Sequence, residues 1–364
     1  MNKWNLPTDV KAAYIPHELT FKFPAGTSRG VLKQKKSGFI CLKNKAGDLG
    51  IGELSTIPKL SVDDRPDYDD FVSQVVKSIN EHHEADVNIE EWPSVVFALE
   101  TAILDLKNGG KRLLFDTSFT CGTAAIPING LIWMGSKANM LEQVGAKIEA
   151  GFRCIKMKIG AIDFEEECAI LAHIRQHFSP EEIEIRVDAN GAFAPEKALQ
   201  QLERLSTFHL HSIEQPVNPR HKQALADLVQ KSPIPIALDE SLIGITNEQE
   251  QKALLAQIKP NFIILKPALL GGFKATEQWV KWAENTGIGW WVTSALEGNI
   301  GLNAIAQWTS SLNTSRPQGL GTGQLFTNNI PAPLHIEKGY LYHDQSQPWD
   351  LSPLPLAEVF ENVP

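Results

Sequence analysis

The stretch CIKMKIG, residues 154–160, sets two lysines one residue apart in an otherwise apolar run. Side chains alternate along a strand, so Lys156 and Lys158 share a face and Met157 points away. A buried like-charge pair is costly, because each ammonium opposes ionisation of the other. Such a pair needs a reason, and the segments on either side supply one.

From about Ile126 short apolar strands alternate with amphipathic helices. IPINGLIW, CIKMKIG, IEIRVDAN, LHSIEQP, IPIALDE, FIILKP, IGWWVTSA and, more weakly patterned, PQGLGTG read as strands. SKANMLEQVGAKIEAG, FEEECAILAHIRQHF and APEKALQQLERLST, among others, carry apolar residues at helical spacing between them. Regular alternation implies a parallel sheet. Seven or eight such units over about 200 residues predict an α/β fold, a (β/α)8-type barrel. No Gly-rich phosphate loop follows the first strand, which disfavours a doubly wound open sheet.

The first 55 residues read differently. HELTFKF alternates, PAGTSRG reads as a turn-rich loop, and FICLKNKAGDLGIGE reads as a hairpin turning near Lys45-Ala46-Gly47-Asp48. Two helical stretches follow and stop at Gly109-Gly110. The expected organisation is an α+β capping domain over residues 1–122, completed by the Pro-rich residues 325–364. The catalytic barrel spans 123–324.

In a parallel barrel the chemistry sits at the C-terminal ends of the strands. The second strand offers Lys156 and Lys158, the third Asp188, the fourth Glu214, the fifth Asp239 and the sixth Lys266. From Lys158 the steps are 30, 26, 25 and 27 residues, each about one βα repeat. Three carboxylates on neighbouring strands then converge, flanked by lysine-bearing strands. They repel one another unless a cation lies between them. Hard oxygen ligands with open positions suit Mg2+, with Mn2+ as a substitute, and suit zinc poorly. A carboxylate substrate on that ion has its α-carbon near the lysines. Burial and a neighbouring ammonium lower a lysine pKa, which fits Lys158 as a general base.

Taken singly, these residues have ordinary explanations. A strand-end carboxylate is usually a cap for the next helix, and Lys-X-Lys alone usually marks a solvated edge strand. The conjunction of spacings is what favours a site. The run Lys33-Gln34-Lys35-Lys36 reads as a solvated loop or hairpin face, and the tryptophans, Trp290-Trp291 included, as packing.

Bulk properties narrow the partners. A net charge of −9 argues against a general nucleic-acid binder. No apolar run approaches the roughly 18 residues of a membrane span. The start, MNKWNLPTDV, lacks a signal-peptide core, and the four cysteines show neither metal-ligand spacing nor a disulfide framework. The expectation is a cytoplasmic protein whose partner is a small-molecule carboxylate.

Lys-X-Lys, then Asp, Glu, Asp and Lys on successive strands, with RVDANGAF, SIEQP, LDES and LKPALLGG, resembles the enolase superfamily in its muconate-lactonizing-enzyme-like branch. The resemblance covers nearly the whole chain. It implies a capping domain over the barrel mouth, with Lys158 as catalytic acid/base and Lys156 supporting it. It implies Asp188, Glu214 and Asp239 as Mg2+ ligands, supported from behind by Asn190 and Glu240, with Lys266 across the site. SALEGNIGLNAIAQ and PAGTSRGVL resemble branch members that dehydrate 2-succinyl-6-hydroxy-2,4-cyclohexadiene-1-carboxylate in menaquinone biosynthesis. That likeness implies Arg29 and Ser294 as substrate contacts. The same scaffold also supports N-succinylamino acid racemization and dipeptide epimerization, with Lys158 and Lys266 as bases on opposite faces. VTSALEGNIG lacks the Asp-X-Asp motif expected of a dipeptide epimerase, and Glu297 is its one acid. A non-catalytic anion-binding barrel would be expected to have lost a ligand or a base, and every position is present.

Overall fold

The computed structural model describes residues 2–27, 30–361 and 363. Strand β1 (Asn2–Asn5) leads into β2 (Lys11–Thr27), β3 (Gly30–Lys43) and β4 (Leu49–Ser55), an antiparallel sheet in the order β2-β3-β4. Helix α1 (Tyr68–His82), strand β5 (Glu84–Val87), which pairs with β1, and helix α2 (Pro93–Lys107) complete this layer. The β3–β4 turn lies where the sequence puts it, with Gly47 N–H donating to the Asn44 carbonyl. PAGTSRG departs from the expected loop: β2 continues to Thr27 and β3 begins at Gly30, with a register irregularity between Thr20 and Ala25. The pairing of the two long strands extends to their tip and overrides the local turn chemistry. Arg29 lies outside the described residues.

Helix α2 is apolar on nearly every side because both of its sides are covered. One side lies against β4, so closely that a Cβ on Gly50 or Gly52 would run into the Ala102 or Ala98 carbonyl. The other meets the barrel, where Phe97 packs edge-on against Phe273 at 5.5 Å.

After β6 (Ile126–Pro127) the barrel begins. Strands β7 (Gly130–Ile132), β8 (Cys154–Lys158), β9 (Glu184–Asp188), β10 (Ser212–Glu214), β11 (Ile236–Leu238), β12 (Phe262–Leu265) and β13 (Gly289–Val292) pair in sequence order, all parallel. Between them run α3 (Lys137–Glu149), α4 (Phe164–His177), α5 (Pro195–Ser206), α6 (Lys222–Lys231), α7 (Glu248–Ile258), the short α8 (Pro267–Leu270) and α9 (Gly272–Asn285), and α10 (Asn299–Ser311) follows β13. Side-chain caps start several of these helices: Ser136 on α3, Asp163 on α4 and Asn247 on α7 each accept from first-turn amides. PQGLGTG supplies a minimal eighth member. Gln318 bridges Ile128 and Gly319 bridges Thr293, both in parallel sense, and this closes the ring.

The tail divides its packing. Strands β14 (Leu334–Glu337) and β15 (Tyr340–His343) form an antiparallel sheet with β6. Helix α11 (Leu356–Glu361) and the segment before it pack on Ile15, Phe39 and Cys41 of the N-terminal sheet. The chain is thus an enolase-like modified barrel carrying an α+β capping layer.

Candidate active site

Strand register puts the polar ends level. Lys158 stands opposite Asp188, and Asp188 opposite Glu214. Asp239 and Lys266 sit just past the ends of β11 and β12 rather than inside them. Local conformation then turns the side chains inward. Asn190 and Gln215 adopt left-handed backbone conformations (φ 44° and 39°) directly after their strands. Gln215 Oε1 accepts from the Asp239 amide at 3.2 Å and from the Ser241 amide and hydroxyl at 3.1 and 3.0 Å. The loop after Lys158 is pinned by Glu167, whose Oε1 accepts from Gly160 N–H at 2.7 Å.

Six charged side chains meet at this level. Lys156 Nζ lies 2.9 Å from Asp188 Oδ2 and 2.5 Å from Glu214 Oε2. Lys158 Nζ donates to the same Asp188 oxygen at 2.9 Å and to Asn190 Oδ1 at 2.8 Å. Lys266 Nζ pairs with Asp239 Oδ2. Asn190 Nδ2 continues the network to Glu240 Oε1 at 2.9 Å. Asp188 also caps locally, its Oδ1 accepting from Asn190 N–H at 3.0 Å, so the ordinary cap reading and the cluster reading hold for one side chain.

The electrostatics follow from burial opposed by pairing. Burial alone would lower Lys156, but Asp188, Glu214 and Asp239 outweigh it and hold the ammonium well above its usual range. Lys266 is likewise lowered by burial yet raised overall by Asp239 and Glu214. The expected downward pull of burial and neighbouring ammoniums is therefore overcome at these two lysines, because each contacts a carboxylate. Asp188 would be raised by burial, but Lys156, Lys158 and Lys266 hold it far below the usual carboxylate range. Glu214 goes the other way. Burial and its neighbours Asp188 and Asp239 push it well above the usual value despite Lys156 and Lys266.

The cluster floors a cavity of about 560 Å³. Lys156, Lys158, Asp188, Asn190, Glu240 and Lys266 line it below, while Glu214 and Asp239 do not line it. Apolar walls come from both layers, Phe23 and Leu32 from the capping strands and Trp133 and Leu296 from the barrel. Ser294 also lines it, with Oγ donating to the Gly319 carbonyl at 3.0 Å. Glu297 is fully buried and does not line the cavity.

A divalent cation fits this donor set. Asp188, Glu214 and Asp239 offer only carboxylate oxygens, and Glu214 Oε1 is buried with no hydrogen-bond partner among the described residues. In this structure the ammoniums of Lys156 and Lys266 are interleaved with the acids. Among the described residues no group of three or more Cys, His, Asp or Glu side chains is placed to hold a metal ion.

Residues 139–347 match a family model described as enolase C-terminal domain-like. An o-succinylbenzoate synthase of Desulfotalea psychrophila is 47% identical, with 91% of this chain and 98% of that one covered. The chain belongs to the enolase superfamily, in the o-succinylbenzoate synthase family. The crystal structure of MenC from Desulfotalea psychrophila superposes with a TM-score of 0.82 at 42% identity, over 92% of this chain and 99% of that one. A dipeptide epimerase from Enterococcus faecalis, solved with Mg and a dipeptide, shares the fold at 18% identity, with a TM-score of 0.79 over 94% and 98% of the two chains. Enolase-superfamily members are generally metal-dependent. Among the described residues no helix is long and apolar enough to cross a membrane.

Sequence reading missed the apolar walls Phe23, Trp133 and Leu296, whose apolar side chains read as core. It also misread Lys35. The side chain is 1% exposed and donates to Ser55 Oγ at 2.7 Å, instead of lying on a solvated face with Lys33 and Lys36. The missed signal was alternation: Lys35 shares its strand face with Phe39 and Cys41, which are buried.

Proposed function

We propose that this chain catalyses the dehydration of 2-succinyl-6-hydroxy-2,4-cyclohexadiene-1-carboxylate to 2-succinylbenzoate, a cytoplasmic step of menaquinone biosynthesis. The observation that carries the reading is the buried Lys156–Asp188–Glu214 and Lys266–Asp239 cluster under an apolar-walled cavity, in a chain 47% identical to an o-succinylbenzoate synthase. In this reading the capping unit spans residues 1–122 with 325–364, and the barrel 123–324.

Asp188, Glu214 and Asp239 would hold Mg2+ or Mn2+. When bound, that ion supplies positive charge for the substrate carboxylate. Lys158 takes the proton from the carbon α to the carboxylate. Its hydrogen bonds to Asp188 and Asn190 orient the amine at the cavity floor. Lys156 holds its proton and meets the negative charge that develops on the carboxylate. The released C–H electron pair becomes a ring double bond as the C6 hydroxyl leaves. Lys158 returns the proton to that hydroxyl, so water departs and the ring is aromatic. Lys266, from the opposite side, stabilises the ring by a cation–π contact. Aromatisation drives the step, which leaves the protein to position and stabilise charge. Arg29 and Ser294 are assigned to the substrate, with Glu240 and Asn190 supporting the acids.

The test is an assay of aromatic product from the cyclohexadiene carboxylate with Mg2+ and with EDTA, run beside N-succinyl amino acids. Product formation abolished by EDTA is the expected result. Racemization of the amino acids without aromatic product would replace this reading with the racemase one, for which Lys158 and Lys266 supply a base on each face.

A further inference from the structure

A second buried charge cluster lies at the seam between capping layer and barrel. Lys35 on β3, Glu53 on β4 and Glu297 after β13 are each 1% exposed or less. Glu53 reaches across the seam to the start of α10. Its Oε1 accepts from Gly298 N–H at 2.6 Å and its Oε2 from Gly301 N–H at 2.8 Å. Those first-turn amides have no partner inside the helix, and a carboxylate there also meets the positive end of the helix dipole. The approach depends on the two glycines. A Cβ at Gly301 would stand 3.2 Å from Glu53 Oε2 and 2.8 Å from the Glu297 side chain. Ser37 Oγ donates to Glu53 at 3.2 Å, and Lys35 supplies the cation facing both glutamates. Among the described residues the charged groups facing one another here are these three.

The anchored segment carries part of the cavity wall. Leu296, two residues before Gly298, lines the cavity with its backbone left-handed at φ 62°. A branched side chain adopts that conformation only where its surroundings impose it. The surroundings are on both sides of it. Glu297 Oε2 accepts from Ala295 N–H at 2.5 Å, Thr322 Oγ1 donates to the Glu297 carbonyl at 3.1 Å, and Glu53 fixes the two amides that follow. Glu100 on α2 makes the same kind of contact one helix earlier, accepting from Phe273 N–H at 2.5 Å at the start of α9. That contact lies downstream of Lys266. The capping layer therefore grips the starts of two successive barrel helices, and the segment before the second, α10, lines the cavity through Ser294 and Leu296.

We propose that Glu53, which accepts from Ser37 and faces Lys35, is a positioning residue for the reaction: it fixes the start of α10 and so presses Leu296 into the wall against the substrate. This rests on the dehydration reading for its substrate. The role is exerted on binding rather than on proton transfer, so it separates from that of the lysines.

The experiment pairs steady-state kinetics on the cyclohexadiene carboxylate with amide hydrogen exchange over residues 295–301. In Glu53→Gln one amide of the pair loses its acceptor. KM should rise about tenfold, kcat should stay within about threefold, and exchange at Gly298 and Gly301 should quicken about tenfold. Leu296→Gly should raise KM alike while leaving that exchange slow, since it removes the wall and spares the anchor. Should Glu53→Gln fail to fold, Ser37→Ala carries the test with a rise of about two- to threefold in KM and exchange. Exchange needs no substrate, so wild-type protein inactive on the diene sinks the dehydration reading alone. Unchanged exchange in the glutamine variant, or faster exchange with wild-type KM, overturns the positioning role.

Discussion

Two buried charge clusters flank the segment 293–298, and they are built from the same residue types to opposite ends. On the cavity side three ammoniums meet three carboxylates, and five polar or charged groups beside Lys158 line open space. On the seam side Lys35 faces two carboxylates, and none of the three lines that cavity. In the first cluster pairing holds Lys156 and Lys266 charged and Asp188 low, while burial and the neighbouring acids raise Glu214. Burial dominates the second, lowering Lys35 and raising Glu53 and Glu297 despite their mutual attraction. Access separates chemistry from fixation: a cluster that solvent and substrate can reach can exchange protons with them, whereas one away from the cavity acts as a strut.

Mutations of single lysines should pull the two clusters apart. Lys158→Ala should lower turnover the most, by about 10²- to 10⁴-fold, the range for a lost general acid–base group. Mg2+ should still bind, as titration calorimetry would report, because the three acids remain. Turnover near wild type would remove Lys158 from the role of base.

Lys35→Met should leave chemistry less affected and stability more so. Taking the cation from a buried cluster leaves the carboxylates uncompensated, at a cost of about 3–5 kcal/mol. Urea unfolding at pH 8 reads this, and a cost below about 1 kcal/mol would show that Lys35 contributes no net pairing. Lys266→Ala should fall between the two, with turnover down about 10- to 100-fold, the loss of a cation–π and charge contact rather than of the base. Equal losses in Lys158→Ala and Lys266→Ala would instead favour a two-base racemase.

The seam should also respond to pH. Burial pushes Glu297 up to about 7 from an ordinary glutamate value near 4.5, with Glu53 adding to the rise and Lys35 opposing it. The folded state therefore binds this proton more tightly than the unfolded state. The stabilisation is complete below pH 4.5 and is lost as pH rises through about 7. Glu297→Gln should flatten the fall in stability between pH 5 and 8, measured by urea unfolding across that range. A variant that keeps the wild-type slope would place the titration elsewhere.

The same contrast explains what the sequence made legible. Lys158, Asp188 and Glu214 could be placed because a parallel barrel repeats at a nearly constant interval, so spacing translates into register. The strand–helix alternation was readable for the same reason. The seam offered no such ruler. Glu53 and the Gly298 amide it holds are 245 residues apart, joined only by how the capping layer docks. Asp239 and Lys266 lie between these cases: their intervals were right, but both sit beyond the strand ends. Leu296 and Trp133 were invisible because an apolar cavity wall looks like core until the cavity is seen.

The smallest expected effect is the sharpest test of the comparison, because it concerns neighbours on one strand. Lys35 and Lys36 belong to one basic run, yet alternation turns the first inward and leaves the second at the surface. Lys36 Nζ pairs with Asp69 Oδ2 at 2.6 Å, a shorter contact than many buried ones, with about half of each side chain exposed. Water screens such a pair, and holding two flexible side chains in place offsets much of what remains. Lys36→Ala should therefore cost only about 0.2–1 kcal/mol, and added salt should shrink it further. If Lys36→Ala were to cost as much as Lys35→Met, burial would not be what distinguishes these two lysines. The seam cluster would then lose its claim to be a strut.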